Sequence, residues 1–512
     1  MNTSGTTNVE MPIAVLAGAP ARMQADNEQR GAVVPPPSSK ANARWVALSQ
    51  AARILSQLAS VALLSRLLQP EDYGLMAMAM VVSNCAYLFR DMGTAAAIIQ
   101  KDRLSPAMVD TVHWTNVALG LLIGAIVLLA APVVAAAFHA PDLEPLLRVL
   151  ALVFPLSSFG VSRQALFERE SKFSLVAFAE VLASFLGLAV ALVLAWGGAG
   201  VWSLVAQVFV ASAVLTAVFA AASGYRPALS WQRAQFKALL GFSGHLTLFN
   251  CVNYLSRNAD SMVIGRLLGT APLGIYSMAY RLMLFPVQNM TWVATRALFP
   301  VMSRHQNANA EIARLYLKSI AFIAFLTAPM MAGLAALREP FVTLVFGERW
   351  NAVAQVIAWL APAGFIQSVV SASGTLFMAK GKTDGLFRLG VAGAVVQIAA
   401  FTAGSHWGIN GVAGWYLTAN VILAIPVLHF STRLIGLGMG DVLRAIWRPV
   451  ALGLALFILL SVADKAMANA GISLMPRFCS LVLAGALAYA LGGYAFAREQ
   501  FRDLFRFLRV AP

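Results

Sequence analysis

Charge is scarce in this sequence. Only 12% of its 512 residues are Asp, Glu, Lys or Arg, too few to solvate the surface of a soluble chain this long. Cysteine is scarcer still. Cys85, Cys251 and Cys479 each sit inside an apolar run and none forms a CxxC pair, which excludes a disulfide framework and a zinc site. The six histidines, at 113, 139, 245, 305, 406 and 429, are scattered and no carboxylates gather beside them. The chain therefore offers no catalytic centre, no metal set and no cofactor site, and it is not expected to be an enzyme. A phosphate-binding glycine loop of the P-loop pattern is also missing, so ATP is not the expected direct energy source. The net charge of +15 invites a nucleic-acid reading, but no basic block interleaved with aromatics occurs, and nucleic acid is not an expected partner.

Apolar sequence is what remains. Hydrophobic residues make up 59% of the chain and the mean hydropathy is +0.74, values that require lipid as solvent. Windows long enough to cross a bilayer predict helices near 44–67, 74–98, 113–138, 143–166, 174–196 and 201–222. A second set falls near 237–268, 272–299, 314–337, 350–379, 386–407 and 409–433, and a last pair near 446–468 and 474–497. The long 237–268 and 350–379 runs read as tilted or broken. The fold class expected is an all-α polytopic membrane protein of about fourteen transmembrane helices, two parallel six-helix repeats plus a C-terminal pair. The divisions expected are a disordered cytoplasmic tail over 1–43, a first lobe over 44–235, a second over 236–435, and two extra helices with a short basic tail over 436–512. Within the tail, Met11 and Met23 offer later starts.

Orientation follows from the connections. Lys101/Arg103, Arg169/Lys172, Arg226/Arg233, Arg304/Arg314, Lys380/Lys382 and Arg444/Arg448 alternate with short connections poor in positive charge, such as those after Gln69, His139, Gly197 and Gly408. The basic connections face the cytoplasm by the positive-inside rule, which puts both termini there, in a bacterial inner membrane.

An internal repeat appears at an offset of 200. Laying Leu55–Ala79 on Leu255–Ala279 gives nine identities in 25 positions, among them Arg66-Leu67-Leu68 on Arg266-Leu267-Leu268 and Gly74 on Gly274. A later echo sets Trp196-Gly197 and Gly200-Val201 on Trp407-Gly408 and Gly411-Val412. Each unit holds an even number of spans, so the second re-enters from the same side and the halves are related by an axis along the membrane normal. Transporters use that symmetry to place a cavity between two bundles.

Polar residues mark its expected walls. Ser49, Arg53, Ser56 and Ser60 recur at spacings of four, three and four in the first span, and Asn250, Asn253, Arg257 and Asp260 form a stripe in the seventh. A charge at mid-membrane costs roughly 2.5–3.5 kcal/mol, so Arg53, Arg257, Asp260 and Arg281 should face the interior or water. Two readings stand open: Arg257 and Asp260 neutralise each other on one helix face, or Arg53, Arg257 and Arg281 bind an anionic head group while Asp260 couples an ion.

A run of motifs then points to a family. It comprises Ser65-Arg66-Leu67-Leu68 with Asp72-Tyr73-Gly74, the stretch Asn258-Ala259-Asp260-Ser261 through Gly265-Arg266-Leu267-Leu268-Gly269, Leu273-Gly274-Ile275-Tyr276 and Phe299-Pro300. Phe346-Gly347-Glu348-Arg349-Trp350 and Ala379-Lys380-Gly381-Lys382-Thr383-Asp384 complete it. Over roughly residues 44–435 the chain resembles Wzx-type polysaccharide transporters, in the exopolysaccharide and colanic-acid exporter branch of the multidrug/oligosaccharidyl-lipid/polysaccharide superfamily. The resemblance implies two six-helix lobes around a cleft that opens alternately to each side. It implies as cargo a polyprenyl-diphosphate-linked oligosaccharide, flipped between leaflets without chemistry and driven by an ion gradient. Arg53, Arg257 and Arg281 would meet the diphosphate and Asp260 would be the coupling group, with membrane lipid and a polysaccharide polymerase or export machinery as partners. Two alternatives stay open: another exporter of the superfamily, for lipid II or drugs, and a membrane polymerase or ligase. The second would need a sizeable outer loop, and the longest outer connection here is roughly 338–350. Arg257→Ala or Arg257→Glu is expected to abolish export with the protein still inserted, measured as surface polysaccharide at matched protein level; unchanged export would refute a cargo role for Arg257.

Overall fold

The computed structural model describes residues 39–91, 98–99, 104–233, 254, 258–304, 308–497 and 500–501, and among these there is no β-strand. The first half runs α1 (Ser39–Leu67), α2 (Pro70–Asp91), α3 (Pro106–Phe138), α4 (Leu143–Ala151), α5 (Val153–Arg169), α6 (Phe173–Trp196) and α7 (Val201–Ala222). The second runs α8 (Ala259–Leu268), α9 (Thr270–Arg304), α10 (Asn309–Ala336), α11 (Arg338–Val345), α12 (Asn351–Ala379), α13 (Thr383–Gly404) and α14 (Gly408–Arg433). The last pair is α15 (Met439–Asn469) and α16 (Leu474–Phe496).

Local chemistry explains where these helices depart from the hydropathy windows. α3 starts at Pro106 instead of 113 because Ser105 caps it, accepting from the Met108 N–H at 3.2 Å, with proline at the first helical position. Its first turns carry Asp110 and His113, which depress hydropathy without disturbing the helix. The 143–166 window is two helices, parted at Leu152. Pro155 has no N–H to give the Ala151 carbonyl, so the ladder is interrupted there. The 350–379 window, expected to be tilted or broken, is one unbroken helix from Asn351 that carries Pro362 inside it. Most of the 237–268 window lies outside the described residues; a turn at Asn258 immediately precedes α8.

Among the described residues, ten segments are long and apolar enough to cross a membrane, one of them, 384–433, taking in both α13 and α14. The protein is a multi-pass membrane protein. α1 and α9 do not reach that threshold, and they are the helices that carry Arg53 and Arg281. Departure from an apolar composition is itself a sign of a helix with interior work.

The two halves meet where α2 crosses α9. A Cβ on Gly74 would lie 1.8 Å from the Thr270 carbonyl oxygen, and one on Gly274 would lie 1.8 Å from that of Pro70. Each glycine is the other's partner at the offset of 200, and so are Pro70 and Thr270. The contact is thus two-fold about its own axis, and only glycine lets the backbones approach so closely. At this end of the molecule, expected to face outward, further groups fasten the halves. The Trp350 indole is wholly buried, donates to the Ser65 carbonyl at 2.8 Å and meets the Tyr73 ring edge-on at 5.2 Å. Arg66 donates to the carbonyls of Leu344 and Val345 at the end of α11, where a cation suits the helix C-terminus. Its repeat partner Arg266 lies 2.7 Å from the ring nitrogens of His139, the residue that ends α3.

At the opposite end the segment leaving α7 is pinned to α3. Asp110 accepts from the Tyr225 hydroxyl at 2.6 Å and the Ala228 N–H at 3.2 Å, and the Trp114 indole donates to the Ala228 carbonyl at 2.8 Å. Gly74→Val and Gly274→Val are each expected to destabilise the protein by about 3 kcal/mol or more, read as thermal unfolding in detergent. Gly390→Ala, with open space at its Cβ, is expected to change stability by no more than about 1 kcal/mol.

Candidate functional site

Between the halves lies a cavity of about 480 Å³. α1 contributes Ile54, Gln57, Leu58 and Val61, α9 contributes Arg281 and Phe285 among others, and α10, α11, α15 and α16 close the remaining sides. Nearly every lining group is hydrocarbon. Arg281 lines this space and is exposed there, and among the described residues no carboxylate forms an ion pair with it. A cation set in an apolar cavity without a counter-charge is costly, so its natural complement is an anion that enters from outside the protein.

Arg53 is placed differently. It lies on the exposed side of α1, donates to Gln50, and approaches Glu180 of α6 at 3.9 Å. The serines of the same stripe pack inward on the first half. Ser56 accepts from Ser184 of α6 at 2.7 Å and Ser60 accepts from Gln207 of α7 at 3.0 Å, while Ser49 is buried. Small hydroxyl-bearing residues let α1 approach these helices and supply hydrogen bonds across the contact. The cavity face of α1 is the adjoining one, at Ile54, Gln57, Leu58 and Val61. Asn250, Asn253 and Arg257 lie outside the described residues.

Asp260 is buried in the first turn of α8, where its carboxylate accepts from the Ser261 N–H at 2.6 Å. A helix N-terminus is a favourable place for a carboxylate. Beside it stands Tyr276, which stacks on Tyr280 at 5.7 Å, and Tyr280 meets Tyr416 at 6.2 Å. Gln367 donates to the Tyr416 hydroxyl and to Asn420 at 3.1 Å, and Asn420 donates to the Tyr416 carbonyl at 2.8 Å. The result is a polar core within the second half, made from α8, α9, α12 and α14. It holds one acid and no base among the described residues. No hydrogen bond or ion pair joins Asp260 to Arg281, so the carboxylate and the cavity cation occupy separate places.

Sequence reasoning did not find Tyr276, Tyr280, Gln367, Tyr416 and Asn420 as a group. A signal existed, because Gln367 and Asn420 are amides in otherwise apolar spans, and intramembrane polar residues are functional candidates by default. Gln57 had been visible only as the position that the repeat sets against Arg257.

Comparison with known proteins adds an independent line. Residues 63–355 match the family described as "Polysaccharide biosynthesis protein". The chain is 29% identical over 423 residues to the lipopolysaccharide biosynthesis protein WzxC of Escherichia coli (strain K12), covering 80% of this chain and 85% of that protein. It is 29% identical over 320 residues to the succinoglycan biosynthesis transport protein ExoT of Rhizobium meliloti (strain 1021), covering 62% and 65%. Among solved structures, the lipid II flippase MurJ in an inward closed conformation superposes with a TM-score of 0.68 at 13% identity, over 91% of this chain and 100% of that one. At that identity the likeness shows a shared fold.

Cysteine labelling separates the two faces of α1. Gln57→Cys is expected to react with a small soluble maleimide that enters the cavity, whereas Ser60→Cys, turned toward Gln207, is expected to stay unlabelled in the folded protein. Equal labelling would mean that the serine face is wet.

Proposed function

Since this chain belongs to the family of polysaccharide biosynthesis proteins, we propose that it is a flippase that moves polyprenyl-diphosphate-linked oligosaccharide repeat units across the bacterial inner membrane for surface polysaccharide synthesis. The observation that carries this reading is Arg281, the one charged side chain among the described residues that line a cavity apolar but for Gln57 and bounded by both halves and the last helix pair. A diphosphate supplies the missing counter-charge, through charge-assisted hydrogen bonds that arginine makes in bidentate form. The hydrocarbon walls suit the first isoprene units of a prenyl tail, and the rest of the tail stays in lipid.

Transport then consists of moving the two lobes, with no bond made or broken. The fastening of the halves at the Trp350 end describes a state closed on that side, which positive-inside charge assigns to the periplasm. Cargo enters from the cytoplasmic leaflet and leaves after the halves part at Trp350 and close at the other end. Both termini are cytoplasmic, and a polysaccharide polymerase receives the product. Asp260 is the coupling group. Binding of a proton or sodium ion there would alter the charge of the polar core that ties α8 to α12 and α14, and so bias one arrangement over the other. Arg257 would add a second cation for the cargo, and Arg53, set against Glu180, would exchange partners as cargo arrives.

The experiment is a deletion strain complemented with variants, with surface polysaccharide measured and polyprenyl-linked repeat units assayed by leaflet. Deletion is expected to trap repeat units on the cytoplasmic side. Arg281→Ala is expected to lower export about tenfold or more at unchanged protein level, the loss of one charge-assisted pair of about 1.5–3 kcal/mol. Asp260→Asn is expected to remove dependence on the ion gradient and reduce export while leaving cargo binding in place. Full export by Arg281→Ala at equal protein level would overturn the assignment, and repeat units reaching the periplasmic leaflet of the deletion strain unpolymerised would favour a polymerase.

A further inference from the structure

A second groove, of about 550 Å³, opens between α2 and α3. Its volume falls in the range typical of small-molecule sites, roughly 300–1,000 Å³. It is the repeat image of the cavity described above. Val81, Val82, Cys85 and Ala86 line it, and their partners at the offset of 200, Arg281, Leu282, Phe285 and Pro286, line the first cavity. α3 takes the place of α10, and Met262 of α8 reaches in from the second half, as α1 reaches into the first cavity.

Two differences separate the images. Val81 stands where the first cavity has Arg281, so the one cation is replaced by hydrocarbon. Arg90, the residue after the lining Phe89, is taken up by Ser157 at 2.6 Å and by the Tyr87 ring at 4.8 Å. The first cavity is also walled by α15 and α16, through Leu456, Leu460, Phe478 and Val482, whereas among the described residues no further helix lines the second. That leaves its mouth to the bilayer. Among the described residues that line it there is no charged side chain to bind an anionic head.

We propose that the α2–α3 groove is a binding site for one acyl chain of a bilayer phospholipid, seated at the seam between the two halves. Lipid tails are as apolar as the protein wall, so no hydrophobic gain drives this binding. The gain is dispersion: a chain lying in a groove touches protein on several sides, where one on a flat helix face touches it on one. Because Met262 belongs to the second half and α2 and α3 to the first, motion between the halves reshapes the groove. A bound chain therefore favours the arrangement with this groove formed, and the membrane's own lipid becomes a ligand of the conformational equilibrium. The inference stands on the groove and its charge, independently of the cargo proposed above.

The test is photocrosslinking of the full chain in phosphatidylcholine vesicles that contain a trace of the same lipid with a diazirine at mid-chain. Adducts are expected to concentrate on 81–89 and 119–130, above the level on the lipid-facing sides of α15 and α16. Ala86→Trp, which fills the groove, is expected to reduce them to that level; should it fail to reach the membrane, Ala130→Phe blocks the groove from the opposite wall. Even labelling of all lipid-facing helices, or enrichment that survives groove filling, would overturn the proposal. A diazirine-bearing polyprenyl diphosphate that displaces the phospholipid from 81–89 would overturn it as well, and would assign the groove to the anionic lipid.

Discussion

The approach of α2 to α9 sets the rest of the molecule. Two backbones can come this near only where neither carries a side chain, and the repeat places a glycine at the same point of each half. Everything that joins the halves at that end follows from the short distance so created. Trp350 reaches Ser65, Arg66 reaches the end of α11, and Arg266 reaches the end of α3, each from one half to the other. In a membrane this kind of contact has no hydrophobic drive behind it, so close packing and hydrogen bonds must hold it. Such a contact can be made or lost as a unit, which suits a joint that opens and closes.

The same repeat that supplies symmetric joints supplies asymmetric chemistry. On the first half, polar groups are turned toward one another: Ser56 with Ser184, Ser60 with Gln207, Arg53 with Glu180. On the second, Asp260 and the tyrosines build a buried core, and Arg281 is the one charged residue among the described ones that line the cavity. Internal duplication gives both halves one backbone plan, and substitution at matched positions then divides labour between them. Positions 81 and 281 display this in a single pair, valine on one side and arginine on the other.

Much of the architecture was legible before any coordinates. Long apolar runs between charged connections have few alternatives in a bilayer, because every backbone group must be satisfied within the span. Hence 201–222 and 474–497 coincide closely with α7 and α16. Misplaced ends have local causes, such as the Ser105 cap and Pro155, that a hydropathy window averages away. The polar stripe on α1 was legible as a stripe but not as to what it faces. Periodicity assigns residues to one side of a helix, and serines suit a close helix contact as well as a wet cleft. Arg281 could be found because a charge within a span is conspicuous. The tyrosine and amide core could not be found as a group: Gln367 and Asn420 stand out singly as amides in apolar spans, but its members come from four helices far apart in sequence and nothing in the sequence brings them together.

The separation of Arg281 from Asp260 bears on how transport would be driven. If cation and carboxylate paired directly, cargo and coupling ion would compete for one site, and binding either would release the other by simple charge exchange. Here the carboxylate lies in a core that ties α8 to α12 and α14, and the cation lies on α9 facing the cavity. α9 belongs to both, since Tyr276 and Tyr280 precede Arg281 on the same helix and pack into that core. In the proposed cycle, a change of charge at Asp260 would therefore reach the cavity as a shift of α9. That helix is also the one whose glycine meets α2 at the joint. One helix thus touches the proposed ion site, the proposed cargo site and the contact between the halves, which is the minimum a coupled transporter needs: a single element whose position all three must agree upon.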